Sequence, residues 1–199
     1  MSDRQQRPLR ADARRNRERI LHTARDAFAA EGIAVPLDEI ARRAGVGAGT
    51  VHRHFPTKEA LFEEVVREHL EQLTRDVRAA LDVEAEAGAA FFGFLARMTA
   101  EADAKQDLAE AITAAGSPVG ARTEELAAEL RELFGSLLLR AQQAGAVRDD
   151  VDAADVQAVV VAALTAGRRR DAGDRSGRLA RVVFDCLLPR PSGPAGSGA

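Results

Sequence analysis

The sequence predicts an all-α protein of about nine helices. Apolar residues recur at intervals of three and four along most of the chain, which is typical of helices with one buried face. No run alternates apolar and polar residues, and no hairpin turn separates two β-branched runs. Of the 199 residues, 46% are apolar and 30% are charged, a composition that allows a globular chain with a buried core.

Prolines, glycines and capping residues predict where the helices begin and end. Pro36 suits the first turn of a helix, and Pro56 disfavours helix at Phe55 before it. Thr57 and Asp152 are expected to cap the helices that follow them. The predicted helices cover about residues 10–31, 36–44, 48–55, 58–81, 87–102, 105–115, 121–144, 153–168 and 176–188.

Residues 36–55, PLDEIARRAGVGAGTVHRHF, predict a helix-turn-helix. Gly45 follows the first helix where a residue that tolerates positive φ is needed, and Val51 and Phe55 form the inward face of the second helix. The first helix has an apolar face of Leu37, Ile40, Ala41 and Ala44. The second helix turns outward Ala48, Gly49, Thr50, His52, Arg53 and His54. Such a face suits the major groove of DNA.

The charge distribution also favours a nucleic-acid partner at this end of the chain. Residues 1–58 carry twelve basic and seven acidic side chains, a net charge of +5. Residues 59–199 carry 16 basic and 24 acidic side chains, a net charge of −8. A basic head on an acidic body indicates that the head meets the polyanion.

Several other classes of protein are disfavoured. No segment has the roughly 18 consecutive apolar residues of a membrane span, and the Arg-rich N-terminus has no apolar region of a signal peptide, so we expect a cytoplasmic protein without a membrane partner. Cys186 is the single cysteine, and the four histidines form no metal-binding or catalytic spacing. We therefore expect no catalytic residues, no metal and no cofactor.

The segment IARRAGVGAGTVHRHFPTKEALF resembles the DNA-binding domain of TetR-family transcriptional regulators. The matching residues are Ile40, Ala41, Ala44, Gly45, Val46, Gly49, Thr50, Val51, His54, Phe55, Lys58 and Leu61. The resemblance implies a DNA-binding domain over residues 1–57 and a helical effector-binding and dimerisation domain over 58–188. It also implies a homodimeric repressor that binds a palindromic double-stranded operator and is released by a small-molecule effector. Residues 189–199, rich in Pro, Gly and Ser, are expected to be a disordered tail.

Within this motif we expect Thr50 and Arg53 to contact base edges or adjacent phosphates, and Ala48 and Gly49 to allow close approach. His52, His54 and Lys58 are expected to bind phosphates. Three positions depart from the family pattern by lacking its usual hydroxyl groups: Pro36, Gly47 and His52. An alternative is therefore a dimeric ligand-binding or protein-interaction bundle that no longer binds DNA specifically.

Five arginines precede or open the first helix: Arg4, Arg7, Arg10, Arg14 and Arg15. They form either an arm that follows phosphates or enters a minor groove, or a basic tail that serves solubility alone.

Two apolar sets are assigned to the acidic body. Candidates for lining an effector pocket, or for plain core, are Phe91, Phe92, Phe94, Leu95, Met98, Phe134, Leu137 and Leu138. The chain has no Trp or Tyr, which favours an apolar effector. The last two helices are apolar on more than one side and need two partners, either within the core or in a second subunit. The predicted dimer interface comprises Val160, Val161, Leu164, Val183, Phe184 and Leu187.

Overall fold

A computed structural model of the chain describes residues 3–82, 86–100, 120–168 and 176–189, with side chains in the parts 12–82, 86–98, 120–160, 162 and 181–189. This part of the chain contains eight helices and no strand. The helices are α1 (Asp3–Glu31), α2 (Leu37–Ala44), α3 (Ala48–His54), α4 (Lys58–Asp82), α5 (Ala87–Ala100), α6 (Ala121–Gln143), α7 (Ala153–Arg168) and α8 (Ser176–Leu187). The all-α prediction is confirmed. The predicted helix at 105–115 and the tail from residue 190 lie outside the described residues.

The first helix is longer than predicted, because α1 begins at Asp3 rather than near Arg10. Its apolar periodicity starts only at Ile20, and the preceding residues are mostly polar residues with good helix propensity. A solvated helical segment has no apolar stripe, so periodicity could not locate its start. The N-terminal arginines are therefore helical in backbone rather than an extended arm ahead of the helix.

Two predicted helix caps are present. The Ala60 N–H donates to the Thr57 hydroxyl oxygen over 3.1 Å at the start of α4. At the start of α7, the Asp155 N–H donates to Asp152 Oδ1 over 2.9 Å. The Asp152 N–H donates in return to Asp155 Oδ2 over 3.0 Å. These bonds satisfy backbone donors that have no partner within a helix.

The described residues form two compact units. The first comprises residues 3–72 and 120–127, and the second comprises 73–82, 86–100, 128–168 and 176–189. The core of the first unit contains Ile20, Leu21, Ala24, Ala27, Phe28, Val35, Ile40, Ala41, Ala44, Val51, Phe55, Leu61, Phe62, Val65 and Val66. The division falls inside α4 and α6, and the domain boundary predicted at residues 57 and 58 stays a prediction.

The second unit has its own apolar core, in which α8 packs against α5 and α7. This core contains Val77, Ala80, Phe91, Phe94, Leu95, Leu137, Leu138, Ala141, Val147, Val156, Val160, Val183 and Leu187. Among the helices described, none has both the length and the apolar composition that crossing a membrane requires.

Candidate nucleic-acid interface

The three N-terminal helices are held together by an apolar core beneath α3. Ile40 and Ala41 of α2 and Val51 of α3 are buried with the inner face of α1. Phe28 of α1 meets Phe62 of α4 edge to face, with ring centroids 5.4 Å apart. Burial of this side of each helix leaves the other side of α3 free to face a partner.

The turn between α2 and α3 depends on Gly45. Its φ is +62°, a conformation that strains any residue with a Cβ. The Gly45 N–H donates to the Arg42 carbonyl over 3.2 Å, and the Val46 N–H donates to the Ala41 carbonyl over 3.1 Å. This is the Schellman arrangement that ends helices, and it sets the direction in which α3 leaves the turn.

The outward residues of α3 form a small, basic surface. Ala48, Gly49, His52 and Arg53 are exposed, and Thr50 and His54 are half-buried. The small residues lie at the N-terminal end of α3, so little bulk there obstructs a close approach to another molecule. Of the six residues predicted to face outward, four are exposed and two are half-buried, and their contact with DNA stays a prediction.

Two of these side chains are held by neighbours in the free protein. Arg53 Nε donates to the Gly49 carbonyl over 3.0 Å, one turn earlier in the same helix. His52 Nε2 lies 3.4 Å from Asp38 Oδ1 of α2. Lys58 begins α4 half-buried and makes no ion pair among the described residues. The ammonium of Lys58 is therefore available to an anion.

Two of the departures from the family pattern lie at the starts of α2 and α3, where a hydroxyl side chain would usually cap the helix. Pro36 and Gly47 cap α2 and α3 in extended conformations, and neither supplies a side-chain hydrogen bond. The first turn of α3 is instead closed by the backbone, since the Thr50 N–H donates to the Gly47 carbonyl over 2.8 Å. Both helices form without the hydroxyl caps that the family usually has.

The N-terminal arginines divide into two groups. Arg14 and Arg15 are exposed and pair along α1, with Glu18 and Asp12 respectively. The side chains of Arg4, Arg7 and Arg10 lie outside the described residues. Their role in DNA binding stays a prediction.

A network of charged residues lies along α2 and joins it to α1. The sequence analysis did not identify it. The Glu39 carboxylate accepts hydrogen bonds from Arg42 and Arg43, each at 2.7 Å, and Arg43 also pairs with Glu31 of α1. The hydrogen bonds from Arg42 and then Arg43 lower the pKa of Glu39 to about 2. The spacing of Glu39 and Arg43, four residues on one helix, is the sequence signal that could have found it.

Within the second unit, the pocket candidates lie in the core. Phe91 and Leu95 are fully buried, and Phe91 stacks on Phe134 with centroids 6.1 Å apart. Phe94, Leu137 and Leu138 are buried as well, and Phe92, Met98 and Phe134 are partly buried against them.

The candidates for the dimer interface differ in how far they are buried. Val160, Val183 and Leu187 are buried within the single chain and Phe184 is partly buried, while the side chains of Val161 and Leu164 lie outside the described residues. Among the described side chains of α7, α8 and the residue after α8, the large apolar ones that are exposed are Val159, Val182 and Leu188, with exposed fractions of 38%, 50% and 46%.

No group of three or more side chains suited to holding a metal ion occurs in the described part of the chain. The candidate site is therefore the surface of α3, a short helix with small and basic outward residues. A glycine turn joins α3 to α2. The fold and this surface define a helix-turn-helix DNA-binding protein.

Comparisons with known proteins agree with that class. The family profile described as bacterial regulatory proteins, tetR family, matches residues 20–65. The profile described as transcriptional regulator SbtR-like, C-terminal domain, matches residues 86–189, more than half of the chain. The chain belongs to the TetR family of transcriptional regulators.

Solved structures similar to this chain include two TetR transcriptional regulators. One from Mycobacterium vanbaalenii is 43% identical, with a TM-score of 0.65, over 91% of this chain and 99% of that one. One from Streptomyces coelicolor is 31% identical, with a TM-score of 0.65, over 88% of this chain and 99% of that one. An HTH-type transcriptional regulator of Staphylococcus aureus is 38% identical over 64 residues, 32% of this chain. The match spans about a third, 35%, of the length of that curated relative.

Proposed function

We propose that the protein is a homodimeric repressor that binds a palindromic DNA operator through α3 and releases it when a small molecule binds the helical body. The observation that carries this proposal is the outward face of α3, where small residues precede Arg53. A helix of this kind can enter the major groove, and its arginine can donate two hydrogen bonds to guanine O6 and N7.

The proposed contacts divide by chemistry. Arg53 and Thr50 read base edges, with the threonine methyl group suited to a thymine methyl. Ala48 and Gly49 permit close approach. His52, His54 and Lys58 bind phosphates, and the ammonium of Lys58, which makes no ion pair among the described residues, does so at the start of α4.

We propose that the dimer forms through α7 and α8. Val160, Val183 and Leu187 are buried within one chain, and the exposed Val159 and Val182 supply the additional apolar surface that a second subunit would cover. A two-fold dimer would present two recognition helices about one DNA turn apart, which is the reason for expecting a palindromic operator.

The effector is proposed to be small and mainly apolar. The rings of Phe184, Phe92, Phe91, Phe134 and Phe94 form a continuous series of contacts in the second unit. A ligand that inserts among such rings would release DNA only if it binds the DNA-free arrangement more tightly than the DNA-bound one. We propose that the protein has no catalytic activity. Because its proposed partner is a DNA operator, we also propose that it acts in the cytoplasm.

Selection of bound duplexes from a random pool tests the proposal. We expect two inverted half-sites, with a complex of two chains per duplex in size-exclusion chromatography with light scattering. An enriched sequence without inverted symmetry would contradict the dimer, and no enrichment at low salt would contradict sequence-specific binding. Such a result would favour a helical bundle that no longer reads DNA.

A further inference from the structure

The recognition helix α3 is held only weakly by its own residues. It has seven residues, of which Val51 is the one that is buried, and neither of its caps uses a side chain. Isolated helices shorter than about 12 residues are marginal in water. The orientation of α3 therefore depends on other helices, which pack against Val51 in the core and contact the residues that flank α3.

Arg19 of α1 contacts the start of the turn between α2 and α3. Its Nη2 donates to the Ala44 carbonyl over 2.6 Å and to the Gly45 carbonyl over 2.7 Å, and its Nε lies 3.2 Å from the Ala44 carbonyl. These carbonyls end α2, where a positive charge is favoured by the helix dipole. A Cβ on Gly45 would lie 3.3 Å from Arg19 Nη2, so the glycine also leaves room for the guanidinium.

Arg17 contacts the opposite end of α3. Its guanidinium carbon lies 5.6 Å from the centre of the Phe55 ring, within range of a cation–π interaction, and Phe55 is the C-cap residue of α3. The same guanidinium pairs with Glu64 of α4, and its Nη1 lies 3.7 Å from Glu68. Arg17 therefore joins the C-terminal end of α3 to α4.

We infer that Arg17 and Arg19 are positioning residues, which hold the C-terminal end of the recognition helix and the α2–α3 turn from α1 and so set the angle of α3 for reading DNA. The two residues project roughly 200° apart around α1, and Arg17 contacts Phe55 whereas Arg19 contacts the α2–α3 turn. The inference rests on the proposed DNA binding by α3.

A positioning role makes a different prediction from a direct phosphate contact. Base-edge hydrogen bonds need a fixed helix angle, whereas phosphate attraction tolerates small changes. Loss of Arg19 should therefore weaken sequence-specific binding much more than binding to unrelated DNA. The dependence of affinity on salt should stay the same, because no phosphate contact is lost.

The test uses the full chain, the duplex selected from the random pool and a scrambled duplex of equal length. We expect Arg19→Gln and Arg17→Gln each to lose about tenfold or more on the selected duplex, because hydrogen bonds from charged groups are among the stronger ones. Affinity for the scrambled duplex and the salt slope should be unchanged. Arg19→Lys should recover only part of the loss, because an ammonium cannot reproduce the guanidinium fork.

Arg25→Gln supplies a control on α1 for Arg19→Gln, because Arg25 shares its partner Glu68 with Arg17 and not with Arg19. It removes one arginine that pairs with Glu68 of α4 and makes no contact with α2 or α3 among those described. Equal losses on both duplexes, with a salt slope lower by about 0.9, would show that Arg19 is a direct phosphate ligand and would overturn the inference. No loss for Arg19→Gln and Arg17→Gln would overturn it as well.

Hydrogen exchange separates this inference from the proposed function. In the absence of DNA, amides of α3 should exchange faster in Arg19→Gln and Arg19→Lys than in the wild type, with α4 amides unchanged. Unchanged protection of α3 would overturn the positioning role whether or not the wild type binds DNA. A wild type that fails to prefer the selected duplex would instead overturn the proposed function.

Discussion

Arg53 Nε donates to the carbonyl of Gly49 over 3.0 Å within the recognition helix. This bond occupies the inner nitrogen of the guanidinium and leaves its two outer nitrogens for a partner. The side chain is thereby ordered before DNA arrives, which reduces the entropy lost when it contacts a base.

Replacement of Arg53 should therefore affect sequence-specific binding. We expect Arg53→Ala to weaken binding to the selected duplex by roughly 1–3 kcal/mol and to relax preference at one base position. Arg53→Lys should restore little, because recognition of guanine by two hydrogen bonds needs the guanidinium fork. Fluorescence anisotropy with single-base variants of the duplex measures both effects, and an unchanged base preference would exclude base reading by Arg53.

Lys58 should contribute a different kind of affinity. Lys58→Ala should weaken binding to all duplexes and lower the slope of log K against log salt by about 0.9, as expected for one lost phosphate contact. Titrations at four or more salt concentrations give the slope. A loss confined to one sequence, with the slope unchanged, would contradict the phosphate role.

Replacing the glycine in the turn and the glycine in the recognition helix should change the stability of the protein in opposite directions. Gly45→Ala should destabilise the protein by about 1–2 kcal/mol, because Gly45 has φ +62° and a Cβ is strained there. Gly49→Ala should stabilise it by about 0.5–1 kcal/mol, since Gly49 is helical and its Cβ would meet nothing within 4 Å. Urea unfolding followed by circular dichroism compares them.

The same Gly49→Ala protein should bind the selected duplex less tightly despite its greater stability, because the added methyl group faces the groove. An increase in DNA affinity together with the increase in stability would contradict the close approach that we propose for this position.

Glu39 predicts a defined pH dependence of stability. Its pKa falls from 4.5 to about 2 in the folded protein, so the unfolded chain takes up this proton first as the pH drops. The stability from its bonds to Arg42 and Arg43 is present above pH 4.5 and is lost as the pH falls through about 2. The difference in free energy of unfolding between wild type and Glu39→Gln should therefore be constant near neutrality and shrink across this range. Glu132→Gln, at an exposed carboxylate, serves as the control, and a difference that persists to pH 2 would exclude the linkage.

The last two helices allow the dimer surface to be separated from the core. Val182→Glu should dissociate the dimer while leaving the helical content of each chain, because the Val182 side chain is 50% exposed. Leu187→Ala should destabilise the fold by about 2–5 kcal/mol, because Leu187 is buried in the second core. Light scattering and thermal unfolding of both variants distinguish the two roles, and a dimeric Val182→Glu would exclude that surface.

The sequence was informative where a pattern repeats and uninformative where contacts join distant residues. The spacing of Ile40, Ala44 and Val51 predicted the helix-turn-helix and its outward face because buried positions recur with the helical period. Arg19 lies 25 residues from Ala44, and no local pattern signals their hydrogen bond. The consecutive valines from Val159 indicated more than one apolar side, but only packing showed that Val160 is internal and Val159 exposed.

Cys186 is the single cysteine of the chain, and it is exposed on α8. Cys186 lies one helical turn after Val182, beside the surface that we propose a second subunit covers. A thiol reagent should therefore modify Cys186 slowly in the dimer and quickly in a dissociated chain, without any engineered substitution. The wild-type protein thus carries its own reporter for the association of its subunits.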